Sequence, residues 1–354
     1  IFHQLAFITY IFCKFASIIT KPVFCDMEIK DGQGTTKATE VQGQDVLNRF
    51  FEEQLQVWPD AQQRFNDLKG VLLKAVTCAG MPFYVQCNPA RLVSTGAKID
   101  KAALAQRPCF LCEENRPAVQ TQILIDNDFE LLVNPFPILP LHFTIPAKVH
   151  QPQLIWEHYG KMRRLLECFE HLTVFYNGPK CGASAPDHMH LQAGAGTHLP
   201  LRDNWEQLYS NRQTLLSTPD GSELVAISNY ACPVFAIVGR DAKADITLFE
   251  TLYMALPQRE DETEPMFNIL KWREGEMYIT VVIPRDKHRP ACYSAEGDAQ
   301  MLISPGALDM AGLVITPRKE DFERLNMPLL ESLYKEVGMP TTTFEDVKRI
   351  IMRS

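Results

Sequence analysis

The sequence has no excess of positive charge. Its 35 Lys and Arg residues stand against 43 Asp and Glu, a formal charge of -8. That balance argues against a broad nucleic-acid-binding surface, which needs clustered cations. A few local arginines would still suffice for a small anion. Cysteine is too dilute for a disulfide scaffold, ten in 354 residues, and only Cys109 and Cys112 stand at metal-type spacing. This usage points to a reducing, cytoplasmic setting. The chain also lacks a clean run of about 20 apolar residues such as a membrane helix needs. Its apolar opening, IFHQLAFITYIFCKFASIITKPVFC, is interrupted by His3 and Lys14 and has neither an initiator Met nor a cleavage site after a basic start. Met27 is the natural beginning on this reading, and residues 1–26 are set aside from the fold.

What is present reads as an ordinary globular protein, 46% hydrophobic and long enough for two modest domains. Residues 44–70 have helical spacing through Val46, Leu47, Phe50, Phe51 and Leu55. Short apolar runs with turn residues between them follow, among them QILID, FELLVNPFP and LHFTIP. A second helical stripe, Ile155, Tyr159, Met162, Leu166 and Phe169, predicts a helix over 153–172. IPAKVHQP at 145–152 is echoed by IPRDKHRP at 283–290, which suggests two diverged copies of a strand-rich unit.

The chemistry concentrates in CGASAPDHMHLQAG, residues 181–194. In a strand, alternate side chains share a face, so His188, His190 and Gln192 point one way while Met189 and Leu191 point to the core. The small-residue loop before them lets backbone N–H groups approach an anion, and Ser184 adds a hydroxyl.

Asn177, Gly182, Ser184 and the HMHLQ run resemble the active-site signature of the transferase branch of the histidine-triad superfamily. That branch includes galactose-1-phosphate uridylyltransferase, diadenosine tetraphosphate phosphorylase and GDP-hexose phosphorylase. The resemblance implies that His190 attacks the α-phosphorus of a nucleotide and that Gln192 hydrogen-bonds the transferred phosphate. Asn177, Gly182 and Ser184 would line the phosphate site. Imidazole is a nucleophile near neutral pH, and glutamine donates to phosphoryl oxygens without a titratable proton. Gln192, where the superfamily's hydrolases carry a third His, favours transfer over hydrolysis.

The Cys109-Phe110-Leu111-Cys112 string resembles the zinc-binding segment of bacterial uridylyltransferases. That likeness implies a structural zinc held by Cys109, Cys112, His150 and His188, with His142 a rival for the place of His150. Four N/S ligands make a closed tetrahedral site. Asn134, in LVNPFP, matches the position that holds ribose hydroxyls, and Arg91, after Asn88-Pro89-Ala90, is a candidate phosphate contact. Arg285, Lys287 and Arg289 read as solvated loop charges or contacts to an acceptor phosphate. GALDMAGLVITPRKEDFERL and FNILKWREGEMYITVVIPR extend the resemblance toward the phosphorylases.

The expected fold is α+β, in two histidine-triad-like halves of antiparallel sheet flanked by helices. Residues 1–42 would be flexible or misassigned, 43–215 the catalytic half and 216–354 a degenerate one. The expected activity is transfer of a nucleoside monophosphate from a GDP-hexose-type nucleotide sugar to phosphate through a nucleotidyl-histidine. Alternatives are a diadenosine polyphosphate phosphorylase, a hexose-1-phosphate uridylyltransferase, or a non-catalytic zinc-stabilised nucleotide binder. The partners are then a nucleotide sugar or dinucleotide and a phosphate acceptor, with no organic cofactor, no nucleic acid, no membrane and a possible homodimer.

Overall fold

The structure is a computed structural model describing residues 27–31, 34–37, 43–96, 104 and 106–354. The expectation for residues 1–26 lies outside the described residues. In chain order the strands begin with β1 (Met27–Asp31), β2 (Gly34–Lys37), β3 (Leu72–Cys78), β4 (Met81–Cys87), β5 (Gln122–Ile125), β6 (Phe129–Val133), β7 (Leu141–Pro146) and β8 (Thr173–Asn177). They continue with β9 (His190–Ala195), β10 (Gln213–Ser217), β11 (Glu223–Ile227), β12 (Val234–Gly239), β13 (Phe267–Glu274), β14 (Met277–Pro284) and β15 (Leu313–Thr316).

The stretch expected to be one helix over 44–70 forms two, Gly43–Val57 and Pro59–Leu68. Pro59 explains the break: it offers no N–H and disfavours helical geometry at Trp58. The second helix is also shorter than expected, Tyr159–Cys168. Gln153 lies outside it, and its N–H donates to Pro186 O at 3.1 Å. All five residues of the apolar stripe are nonetheless buried in one core.

Twelve strands form one sheet in the order β10-β11-β12-β14-β13-β8-β9-β7-β6-β5-β1-β2. Outward from the antiparallel β8–β13 contact, the two sides repeat one arrangement. Each is a five-strand run, β5 to β9 and β10 to β14, in which the fifth strand inserts between the third and fourth. A helix joins third strand to fourth in both, Tyr159–Cys168 in the first run and Ala242–Ala255 in the second. The echoed IPAKVHQP and IPRDKHRP do not coincide with this repeat. They leave β7 and β14, the third strand of one run and the fifth of the other.

One face of the sheet packs against helices through Tyr176, Leu191, Ile269 and Val282. The opposite face of the second run is buried with Phe83, Val85 and Val314 of the small sheet β15-β4-β3. Over the first run the same face is left open. No helix among the described residues is long and apolar enough to cross a membrane.

Candidate active site

On that open face lies a cavity of about 650 Å³. Its wall includes all seven residues singled out for catalysis or substrate contact: His190, Gln192, Asn134, Asn177, Gly182, Ser184 and Arg91. The opposite wall comes from the second half, through Ser304, Gly306–Asp309 and Ile315.

His190 is the first residue of β9 and is nearly buried. Its Nδ1 stands 2.8 Å from the carbonyl of His188. A carbonyl only accepts, so Nδ1 carries the proton and Nε2 keeps its lone pair. Burial, partly opposed by this hydrogen bond, lowers the pKa to about 4, which keeps the ring neutral. Gln153 fixes the backbone on both sides: its Oε1 accepts the His190 N–H at 2.7 Å, and its Nε2 donates to His190 O at 3.0 Å and Asn177 O at 2.9 Å.

Two residues on, Gln192 is oriented by His142. The Ile138 N–H donates to His142 Nδ1 at 3.1 Å, so the ring proton sits on Nε2 and faces Gln192 Oε1, also at 3.1 Å. The glutamine's NH2 is left as the end able to donate elsewhere. Asn134 has its Oδ1 taken by the Phe136 N–H at 2.8 Å, an Asx turn, while the side chain lines the cavity.

Asn177 ends β8. Its Oδ1 accepts from Asn268 Nδ2 at 2.9 Å and from Ala307 N–H at 2.7 Å, so its NH2 is the free end of the amide. Gly182 has φ +96°, and a Cβ there would fall 2.6 Å from Gly306 Cα. Only glycine allows both the conformation and the approach of the two segments. Arg91 gives one N–H to Phe136 O at 2.8 Å, and Arg107 donates to Ser184 O at 2.9 Å. With Arg64 they bring three guanidinium groups to the wall, against the carboxylates of Asp60 and Asp309. Both Asp309 oxygens are occupied by backbone N–H groups of Gly306 and Ile315.

Arg285 differs from the sequence reading. It is not a solvated loop charge but is 4% exposed, with its guanidinium turned into the protein. The apolar end of β14 carries it inward.

A second constellation lies beside the cavity. Cys109, Cys112, His150 and His188 bring their ligand atoms within 4.8 Å of one another, a cluster able to coordinate a metal. His188 Nδ1 is 3.2 Å from Cys109 Sγ and 3.6 Å from Cys112 Sγ, and His150 Nδ1 is 3.2 Å from Cys112 Sγ. Ligands at ordinary zinc bond lengths are separated by similar distances on a tetrahedron. The donor chemistry fits too. His188 Nε2 donates to Ala147 O at 2.7 Å, which leaves Nδ1 unprotonated toward the thiols. Burial and the neighbouring Cys109 push the Cys112 thiol up to about 11, a tendency that a cation between them would reverse. His142 is not in this cluster.

Gln153, His142 as the partner of Gln192, Asn268 and Arg285 were not assigned these places by sequence reasoning. Their partners are distant in the chain, and amides bonded to backbone leave no motif. IPAKVHQPQ carries Gln153, and MFNILKW carries Asn268, without marking them.

Residues 50–195 match a family described as "Domain of unknown function (DUF4922)". No curated protein matches the chain. Among solved structures, yeast Ap4A phosphorylase Apa2 in complex with Ap4A is 17% identical, covering 80% of this chain and 97% of its own, with a TM-score of 0.53. The same yeast enzyme in complex with AMP is 19% identical over 79% and 97%, at a TM-score of 0.49. A DUF4931 family protein from Bacillus cereus is 18% identical over 52% and 93%, at 0.34. At such identity the likeness is one of fold: the chain shares the fold of the yeast Ap4A phosphorylase.

Proposed function

We propose that this protein transfers a nucleoside monophosphate from a nucleotide sugar of the GDP-hexose type to inorganic phosphate, through a covalent intermediate on His190. The observation that carries this reading is the tautomer of His190, a residue that lines the cavity: a hydrogen bond from Nδ1 to His188 O leaves Nε2 unprotonated. Nε2 attacks the α-phosphorus, and the bond to the bridging oxygen breaks as hexose 1-phosphate departs with the electron pair. A phosphate oxygen then attacks the nucleotidyl-imidazole; the P–N bond breaks and its pair returns to Nε2. Leaving group and acceptor are already ionised, so Gln192 serves as a neutral donor to the phosphoryl oxygens.

The second five-strand run is a diverged copy without this site. Across the sheet, Gln192, Phe175, Leu270 and Val281 stand in one row. Val281 thus occupies, in the strand corresponding to β9, a place akin to that of Gln192, and it is packed in the core. Cys109, Cys112, His150 and His188 hold a structural zinc, which supplies a fixed anchor for the segment entering β9. Anchoring is its only part in this reading. A dinucleotide donor is the second reading, favoured by the fold shared with a phosphorylase solved with Ap4A.

The test is intact mass after incubation with nucleotide sugars and dinucleotides, without acceptor. The expected result is a nucleotidyl adduct that phosphate discharges and that His190→Ala does not form. Bound nucleotide with unchanged mass for every donor would reject the covalent route and leave a non-catalytic binder.

A further inference from the structure

Arg285 is a cation buried in the second half, and among the described residues no carboxylate stands within ion-pair distance of it. Such a group is costly to keep. Its whole fork is nevertheless satisfied. Nε donates to Val337 O at 3.1 Å, Nη1 to Asn268 Oδ1 at 2.7 Å and Pro305 O at 3.0 Å, and Nη2 to Lys287 O at 3.0 Å and His288 O at 3.1 Å. Those acceptors use every guanidinium N–H, so none is left for a ligand.

The next member of the chain is as fully committed. Asn268 is completely buried; its oxygen accepts from Arg285, and its NH2 donates to Asn177 Oδ1 at 2.9 Å and Cys181 O at 2.6 Å. Because Arg285 can only donate, the Asn268 amide has one possible orientation. That orientation makes Asn268 a donor to Asn177, and Ala307 N–H occupies the same oxygen. Asn177 is therefore held with its NH2 outward. The same two residues grip the carbonyls just before Gly182 and Gly306, the glycines whose backbones meet beside the cavity.

We propose that Arg285, acting through Asn268, is a positioning residue of the second half that presents Asn177 as a hydrogen-bond donor to the bound phosphoryl group. The inference rests on the nucleotidyl-transfer reading for what occupies the cavity, but not for the relay itself. The second half is thus a brace that sets the polarity of one amide in the first.

Asn268→Asp tests it. The carboxylate keeps the shape of the asparagine and pairs with Arg285, so the fold is retained, but both N–H donors are lost. Facing a carboxylate, Asn177 is driven to turn its NH2 toward residue 268 and its oxygen to the cavity, at the expense of the hydrogen bond from Ala307 N–H. With a donor that loads the wild type, the adduct on His190 should form at least about tenfold more slowly at saturating donor, with a smaller change in half-saturating concentration and no fall in Tm. In an Asn177→Ala background the same substitution should change the rate less than about twofold. Equal loading by wild type and Asn268→Asp would overturn the relay. If no donor loads the wild type, the transfer reading fails, and the relay is judged on the free protein. The side-chain NH2 resonances of Asn177, assigned by their loss in Asn177→Asp, should move in Asn268→Asp; unmoved resonances would overturn it whatever the activity.

Discussion

His142 donates to Gln192: its Nε2 lies 3.1 Å from Gln192 Oε1, and the Ile138 N–H on Nδ1 dictates which nitrogen carries the proton. An uncharged ring thereby decides which end of an amide faces the cavity. Replacing it with Leu frees the glutamine to rotate. The His142→Leu protein should load nucleotide at least about tenfold more slowly, and Gln192→Leu about 10²–10³-fold more slowly. If His142→Leu loads at the wild-type rate, the orienting role is wrong.

The same histidine makes acid destabilising. Burial lowers its pKa from 6.5 to about 3, Arg91 adding to the effect and Gln192 opposing it. Between those values the unfolded chain binds a proton that the folded chain refuses, so stability falls as pH falls below 6.5. Compared with His142→Asn, the wild type should lose roughly 2–3 kcal/mol more on going from pH 6.5 to 4.5. Denaturant titrations of both proteins at several pH values measure this, and parallel slopes would refute it.

Metal content gives a third expectation. Elemental analysis of protein purified without chelator should find about one zinc per chain, absent from Cys109→Ser. Removing it should lower Tm by several degrees, since about 1 kcal/mol corresponds to roughly 2–4 °C in a chain of this order of size. His188 Nε2 is engaged by Ala147 O, so the loss should also loosen the entry to β9 and slow nucleotide loading. A metal-free protein with unchanged Tm and loading would remove zinc from the account.

Gly182→Ala puts a methyl group 2.6 Å from Gly306 Cα at a backbone φ of +96°. It should cost more than about 1 kcal/mol, read by chemical denaturation, because both the conformation and the space are wrong for alanine. Loading should fall as well, through displacement of the Ser184 segment. Gly221→Ala is a suitable control: φ is +83°, yet nothing lies within 4 Å of the added carbon.

The sequence made some of this legible and hid the rest for physical reasons. The two-residue period of HMHLQ placed His190 and Gln192 on one face and Leu191 in the core, because strand alternation is local. The structure starts the strand only at His190, with His188 turned to the thiols beside it. The helical periods around Phe50 and Met162 were visible, but Pro59 divides the first helix and Gln153 stays outside the second. What hydropathy could not show is which wall faces His190. Gly306 and Asn268 reach Asn177 from far along the chain, and only the pairing of β8 with β13 brings them there. The two IPxxxHxP segments leave β7 and β14, which hold different places in the repeated strand order, so the echo does not mark that repeat.

That pairing has a consequence for how the protein is made and handled. Dividing the chain between residues 215 and 216 would convert β8 and β13 from interior strands into raw edges, TVFYN on one product and FNILKWRE on the other. Both are rich in aromatic and branched residues, and each is fully or largely buried in the intact chain. Exposed edges of that kind recruit further strands. Coexpressed pieces would have to find each other before they stick to themselves, so production as a single polypeptide also acts as a safeguard against aggregation.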